Sequence, residues 1–160
     1  MSNNNDFLDL NNLLEGTTNN TITTNIPIVE FGEQILFNGE LTLFPPQRAL
    51  LKSFYNEDLT DEEAEILRIW KSGDRTNWVE NRKYKNLIVE AGRGSSKSSI
   101  ASIVGLYEFY NLITLENPAS YYGLMPNDPI AIFVVAKTLE QVKNTLFGKI
   151  VGYAQNSETF

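Results

Sequence analysis

Asn86-Leu-Ile-Val-Glu-Ala-Gly-Arg-Gly-Ser-Ser-Lys-Ser-Ser99 runs directly into Ile100-Ala-Ser-Ile-Val-Gly-Leu-Tyr-Glu-Phe-Tyr110. Leu87, Ile88 and Val89 form a short apolar run of the kind found in buried parallel strands. A Gly/Ser-rich turn follows, then Lys97 and Ser98, then a long apolar helical pattern. Strand, Gly-rich turn, Lys-Ser and helix in that order predict a phosphate-binding loop.

The stretch departs from G-x-x-x-x-G-K-[ST] at two places. The pattern wants glycine at positions 91 and 96, where this chain has Ala91 and Ser96; Gly92 and Gly94 flank Arg93 instead. The physics tolerates the shift, because glycines let backbone N–H groups turn inward around an anion and the helix N-terminus adds partial positive charge. On this reading Gly92, Arg93, Gly94, Ser95, Ser96, Lys97, Ser98 and Ser99 surround the phosphates. Lys97 reaches the β- and γ-phosphates and the Ser98 hydroxyl is a magnesium ligand. The alternative is a solvated Gly/Ser turn, and the strand before and helix after weigh against it.

At 160 residues the chain has one domain's worth of length, enough to bury a core. Cysteine and histidine are both absent. That excludes disulfides, thiolate or imidazole metal sites and histidine general bases. The net charge of −7 argues against a protein that coats nucleic acid, though not against a motor touching DNA through a local patch. No secretory signal is visible, and no apolar run approaches the ~18 residues of a membrane span, so a soluble intracellular protein without membrane contact is expected.

Three regions are expected along the chain. Residues 1–25, rich in Asn and Thr, read as a flexible polar arm; Phe7, Leu8, Leu10, Leu13 and Leu14 fit either a docking segment or a frayed terminus. Residues 26–85 read as a hairpin and helices. Asn38-Gly39 between two apolar runs signals a two-residue hairpin within 26–43, and Pro46 opens a helix with Leu50, Leu51 and Phe54 on one face. Gln47 in its first turn is a candidate adenine reader, since an amide offers the donor and acceptor that the N6/N7 edge requires; a solvated or capping glutamine is the plain alternative. Thr60-Asp-Glu-Glu63 is a capping box, which makes the acidic run at 61–65 helix-start charge rather than a metal site. Residues 74–86, polar and basic with Trp78 and Tyr84 among them, read as a solvated connector, with a nucleic-acid patch of interleaved aromatics as the alternative.

Residues 86–160 read as the phosphate-loop core. The helix after Ser99 is apolar nearly all round, as if buried between a sheet and another layer. Ile130-Ala-Ile-Phe-Val-Val135 reads as a second parallel strand, and Thr138-Leu-Glu-Gln141 as a further capping box. Leu139, Val142, Leu146, Ile150 and Tyr153 share the face of the helix that follows. The fold class expected is α/β, a P-loop NTPase of the ASCE, RecA-like type. Its parallel sheet is flanked by helices and preceded by a hairpin and helical segment.

Phe44-Pro-Pro-Gln-Arg48, the loop 87–98 and Ile132-Phe-Val-Val-Ala-Lys-Thr-Leu-Glu-Gln141 together resemble the N-terminal part of the ATPase domain of tailed-bacteriophage large terminase subunits. The resemblance covers roughly residues 40–155, and an arginine between two glycines before Ser-Ser-Lys-Ser is its most specific element. It implies an ATP- and Mg2+-dependent motor that pumps double-stranded DNA through a portal protein into a procapsid. It also implies a separate nuclease domain, a small terminase subunit as partner, a homo-oligomeric ring and residence in the host cytoplasm, transiently at the portal. Carried over, Gln47 matches the adenine motif, Gly92 to Ser98 match the phosphate loop, and Arg93 with Lys97 are the catalytic candidates in it. Lys137 is a lesser candidate for a DNA or phosphate contact.

The resemblance has a gap. The family's Walker B strand ends in Asp-Glu, and no apolar run here does; Glu90 precedes the loop. The chain is therefore expected to be an N-terminal fragment, truncated before that strand, that binds nucleotide weakly and turns over little or none. A helicase-like P-loop ATPase and a non-catalytic assembly module retaining the scaffold are the competing readings.

Overall fold

Ile100, Ile103, Leu106, Tyr107 and Tyr110 recur at intervals of three and four, which sets them on one face of a helix. In a computed structural model, which describes residues 26–160, that face of the helix is buried in the core. The described elements are α1 (Ile28–Glu30), which continues as a π-helical segment (Phe31–Leu36), α2 (Pro45–Tyr55), α3 (Asp61–Ser72), α4 (Lys97–Thr114) and α5 (Pro118–Tyr121). They are followed by α6 (Leu139–Gln141), continuing as a second π-helical segment (Val142–Phe147), and by α7 (Gly148–Asn156).

The core lies where α1, its π-helical continuation and α2 meet the buried face of α4. Phe31 is fully buried, and its ring meets Tyr107 and Tyr110, each at 5.2 Å between centroids. Burying a side chain of that size stabilises by about 2–3 kcal/mol. Polar ties fix the register of the elements. The Tyr107 hydroxyl donates to the Ile26 carbonyl (2.8 Å), and the Tyr55 hydroxyl to Glu108 Oε1 (2.6 Å). Glu57 Oε1 accepts from the Ile28 N–H at 2.7 Å, so a carboxylate beyond the end of α2 caps the start of α1. α7 closes the far side, where Asn38 Nδ2 donates to the Asn156 carbonyl (3.1 Å) and Ser157 Oγ to the Ile35 carbonyl (2.6 Å).

The capping box at Thr60 forms as expected: Glu63 N–H donates to Thr60 Oγ1 and Thr60 N–H to Glu63 Oε2. Glu63 does more than cap. It is buried, and its carboxylate takes a 2.9 Å hydrogen bond from Lys52 Nζ and an ion-pair approach of 3.3 Å from Arg48 Nε, clamping α3 onto α2. Burial alone would raise its pKa. The Thr60 N–H, the Lys52 hydrogen bond and the Lys52 and Arg48 charges outweigh it and leave the carboxyl below its ordinary value. The acidic run at 61–65 is thus helix-start and clamp chemistry.

One expectation needs correction and one is not shown among the described residues. Residues 26–43 form no hairpin. Ile28, Val29, Phe31 and Leu36 are buried together on a helical spacing, and Asn38 (φ 51°) and Gly39 (φ 75°) end that helix. Gly39 N–H donates to the Glu33 carbonyl and Glu40 N–H to the Phe37 carbonyl, both at 2.8 Å. Two successive residues at positive φ suit a helix C-terminus as well as a type I′ turn. The parallel sheet is likewise not present among the described residues: 87–89 and 130–135 carry no ladder bonds, and Ile88 and Val135 are 87% and 88% exposed. An apolar run supplies strand propensity, whereas a strand exists only with a partner to pair with. On α4, Phe109 and Ile113 are exposed, Phe109 stacking on Phe160 at 6.1 Å between centroids. Of the face predicted after Thr138, Ile150 and Tyr153 pack on the core while Leu139 is exposed. The arm at 1–25 lies outside the described residues.

Candidate nucleotide site

The loop gets its shape from alternating backbone conformations. Gly94 has φ +77° and Ser96 φ 59°, while Ser95 between them does not share the positive φ. Alternation of positive and non-positive φ is the backbone pattern from which anion nests are built. Ser96 is the N-cap of α4 and makes no side-chain capping bond, so no side chain of the cap closes off the helix end. The 18-residue helix thus presents the positive end of its dipole at a cap without a side-chain bond, the Ser99 N–H turning back to the Ser96 carbonyl at 2.9 Å.

Lys97 sits within this turn. Its Nζ donates to the carbonyls of Ala91 and Gly92 and to Ser95 Oγ (3.2 Å). Ser95 Oγ in turn donates to the Gly92 carbonyl at 2.7 Å. The ammonium is therefore placed at the loop, with carbonyls as its present partners. Ser98 is half-buried in the first turn of α4, and its carbonyl accepts from Ser102 Oγ (2.7 Å). Ser99 Oγ accepts from Lys149 Nζ at 2.9 Å, which brings a cation from α7 to the start of α4. Arg93 is exposed between Gly92 and Gly94.

A cleft of about 540 Å³ opens beside the loop. Gln47 and Leu50 of α2 form one wall, and Ala91, Ser95 and Ile100 bring the phosphate loop and the start of α4 into it. The structure therefore sets Gln47 and the loop on one cavity although 48 residues separate Gln47 from Ser95 in sequence. Gln47 also has a local task. Its Oε1 accepts from the Phe44 N–H at 3.0 Å and so caps the start of α2. Capping uses the acceptor of the amide, and the Nε2 donors remain for other partners. Gly92, Arg93, Gly94, Ser96, Lys97, Ser98 and Ser99 do not line the cleft; of the phosphate-loop candidates Ser95 does. Lys137 stands in the bend before α6, outside the cleft lining.

The connector 74–86 is more than a solvated link. Arg75, Trp78 and Tyr84 line the cleft with Trp70 and Phe54. Tyr84 holds the connector's shape, since its hydroxyl accepts from the Val79 N–H (2.6 Å) and Arg82 lies over its ring at 5.6 Å. Lys149 and this aromatic wall are what sequence reasoning passed over. Lys149 carries no local signal. Trp78 and Tyr84 were visible as aromatics among basic residues, but not their placement opposite Gln47.

Among the described residues no group of three acidic side chains is placed to hold a metal ion, and no helix is long and apolar enough to cross a membrane. Comparison with known proteins finds no matching curated protein and no matching solved structure. A family match does exist, to the family described as "Uncharacterized protein MJ0330, N-terminal P-loop domain", over residues 5–160. A P-loop domain is a nucleotide-phosphate-binding scaffold, which agrees with a turn of alternating φ leading into a helix without a side-chain cap. With nearly its whole length matched, the chain belongs to this family of P-loop domains.

Proposed function

We infer that the chain is the nucleotide-binding part of an ATP-driven motor, with ATP as the nucleotide and Mg2+ as its counterion. The single observation that carries this reading is the joining of Gln47 and the phosphate loop on one cleft beside the N-terminus of α4. Gly92 to Ser99 take the phosphates. Lys97 exchanges its loop carbonyls for β- and γ-phosphate oxygens, a favourable exchange because a charge-assisted bond to phosphate is stronger than one to a neutral carbonyl. Arg93, exposed between Gly92 and Gly94, is on this reading the guanidinium that neutralises charge developing on the γ-phosphate. Ser98 supplies one oxygen to magnesium, whose other ligands would be phosphate oxygens and water; the ion bridges and neutralises the phosphates.

The fuller reading rests on the resemblance to large terminase subunits. It makes the motor one that moves double-stranded DNA through a portal protein into a procapsid, with a small terminase subunit as partner. A homo-oligomeric ring working in the host cytoplasm and transiently at the portal completes it. The sequence segments that support it are 44–48, 87–98 and 132–141.

Hydrolysis in such a motor needs an acidic pair to hold magnesium and activate water, and this chain offers only Glu90 near the loop. Purified protein is expected to bind Mg-ATP and to release phosphate at background rate in a steady-state assay. A robust magnesium-dependent rate that Lys97→Ala abolishes would contradict the reading of this chain as one that binds nucleotide without turning it over.

A further inference from the structure

The cleft beside the loop has a composition of its own. Four aromatic side chains, Phe54, Trp70, Trp78 and Tyr84, line it together with Gln47 and Arg75. Its volume of about 540 Å³ lies within the ~300–1,000 Å³ typical of small-molecule sites. A triphosphate alone requires none of this, since polyphosphate is recognised by N–H groups and cations. Aromatic faces, a free amide donor and a guanidinium suit a flat heteroaromatic ring, which stacks through its π-face and is read at its edge by hydrogen bonds.

We propose that this cleft is the base-and-ribose pocket of the nucleotide whose phosphates the loop takes, with Trp78 of the connector the residue that makes the site prefer a nucleotide to bare polyphosphate. The proposal rests on the phosphate-loop reading and adds the partner surface for the other half of the ligand. Adjacency argues for the occupant: Ser95 of the loop and Ala91 just before it line the cleft wall, so the cleft begins where the loop does. Gln47 faces the same space with its amide donors unspent, the acceptor being engaged by the Phe44 N–H. It is therefore a donor to a ring nitrogen or carbonyl rather than a bidentate reader, and selectivity falls on stacking more than on base identity. The connector then has a function, as the wall that a nucleoside leans on.

The two tryptophans of the chain, Trp70 and Trp78, both line this cleft, so intrinsic fluorescence reports on it directly. The experiment titrates Mg-ATP, Mg-GTP and magnesium tripolyphosphate into the full chain and into Trp70→Phe, Trp78→Phe and Trp78→Ala, with circular dichroism as the check on folding. Expected is binding of ATP at least about tenfold tighter than tripolyphosphate, the scale of one base–aromatic stack. GTP should bind within severalfold of ATP. In Trp70→Phe the remaining Trp78 emission is expected to be quenched by ATP and not by tripolyphosphate. Trp78→Ala should bring ATP down to the affinity of tripolyphosphate, and Trp78→Phe should keep most of the difference.

Equal binding of ATP and tripolyphosphate by the parent chain would overturn the proposal while leaving the phosphate loop standing. So would a gap that survives Trp78→Ala, or a folded Trp78→Phe that loses as much as Trp78→Ala. Binding of neither ligand would overturn the phosphate-loop reading itself.

Discussion

Ser96 stands where the phosphate-loop pattern asks for glycine, and it takes the backbone conformation that explains the request: φ 59°, ψ 21°. A residue with a Cβ pays about 1–2 kcal/mol for that left-handed conformation, and glycine does not, although glycine loses more freedom on folding. Ser96→Gly is therefore expected to stabilise the chain by about 0.5–1 kcal/mol in chemical denaturation; a destabilised variant would mean that the left-handed cap is wrong. Glu63 offers a second test at this scale. Its folded pKa lies below its ordinary value of 4.5, so its contribution is complete above that pH and fades as pH falls through the folded value. Removing the charge with Glu63→Gln leaves Lys52 and Arg48 without their partner. It is expected to cost about 3 kcal/mol at pH 7, with the deficit shrinking below pH 4.5. Urea midpoints of parent and variant across pH check this, and a deficit that grows in acid would contradict it. The glycine-rich turn ahead of α4 and the capping box at Thr60 were readable because each is a local pattern; of the box expected at Thr138 one half forms, the Gln141 N–H donating to Thr138 Oγ1 at 3.2 Å. The 2.9 Å reach of Lys149 to Ser99 spans 50 residues and leaves no local trace.

At the scale of elements, the sequence pattern was faithful to helices and ambiguous about strands. Period-3.6 burial on α4, the capped start of α3 and the proline-opened α2 all follow from residues within one or two turns of each other. The Asn38-Gly39 pair misled because it encodes two positive φ values and not the elements on either side. The apolar runs at 87–89 and 130–135 encode a tendency whose expression depends on partners elsewhere in space. The π-helical segments were not legible at all, since one extra residue per turn changes no composition. Their mark is geometric. At the end of the second, Gly148 N–H donates to the Lys143 carbonyl, and a Cβ on Gly148 would sit 2.8 Å from that carbonyl oxygen. Gly148→Ala is accordingly expected to destabilise by about 1–3 kcal/mol, the usual cost of overpacking against backbone. Thermal unfolding measures it, and an unchanged midpoint would place the π-to-α junction elsewhere.

For the whole molecule, the arrangement serves to hold a loop and a wall around one cavity. α4 carries the loop at its N-terminus and the core on its buried face, so the residues that stabilise the fold also fix the site. The clamp of Glu63 on Lys52 and Arg48 sets α3, with Trp70, against α2, with Gln47. If loop 92–98 is an anion cradle for nucleotide phosphates, calorimetric titration of Mg-ATP into the parent chain and into Lys97→Ala will separate the two. Measurable binding is expected of the parent and at least about tenfold weaker binding of the folded variant, the scale of one lost charge-assisted bond. Equal affinity in the two proteins, or no binding by the parent, would contradict the cradle.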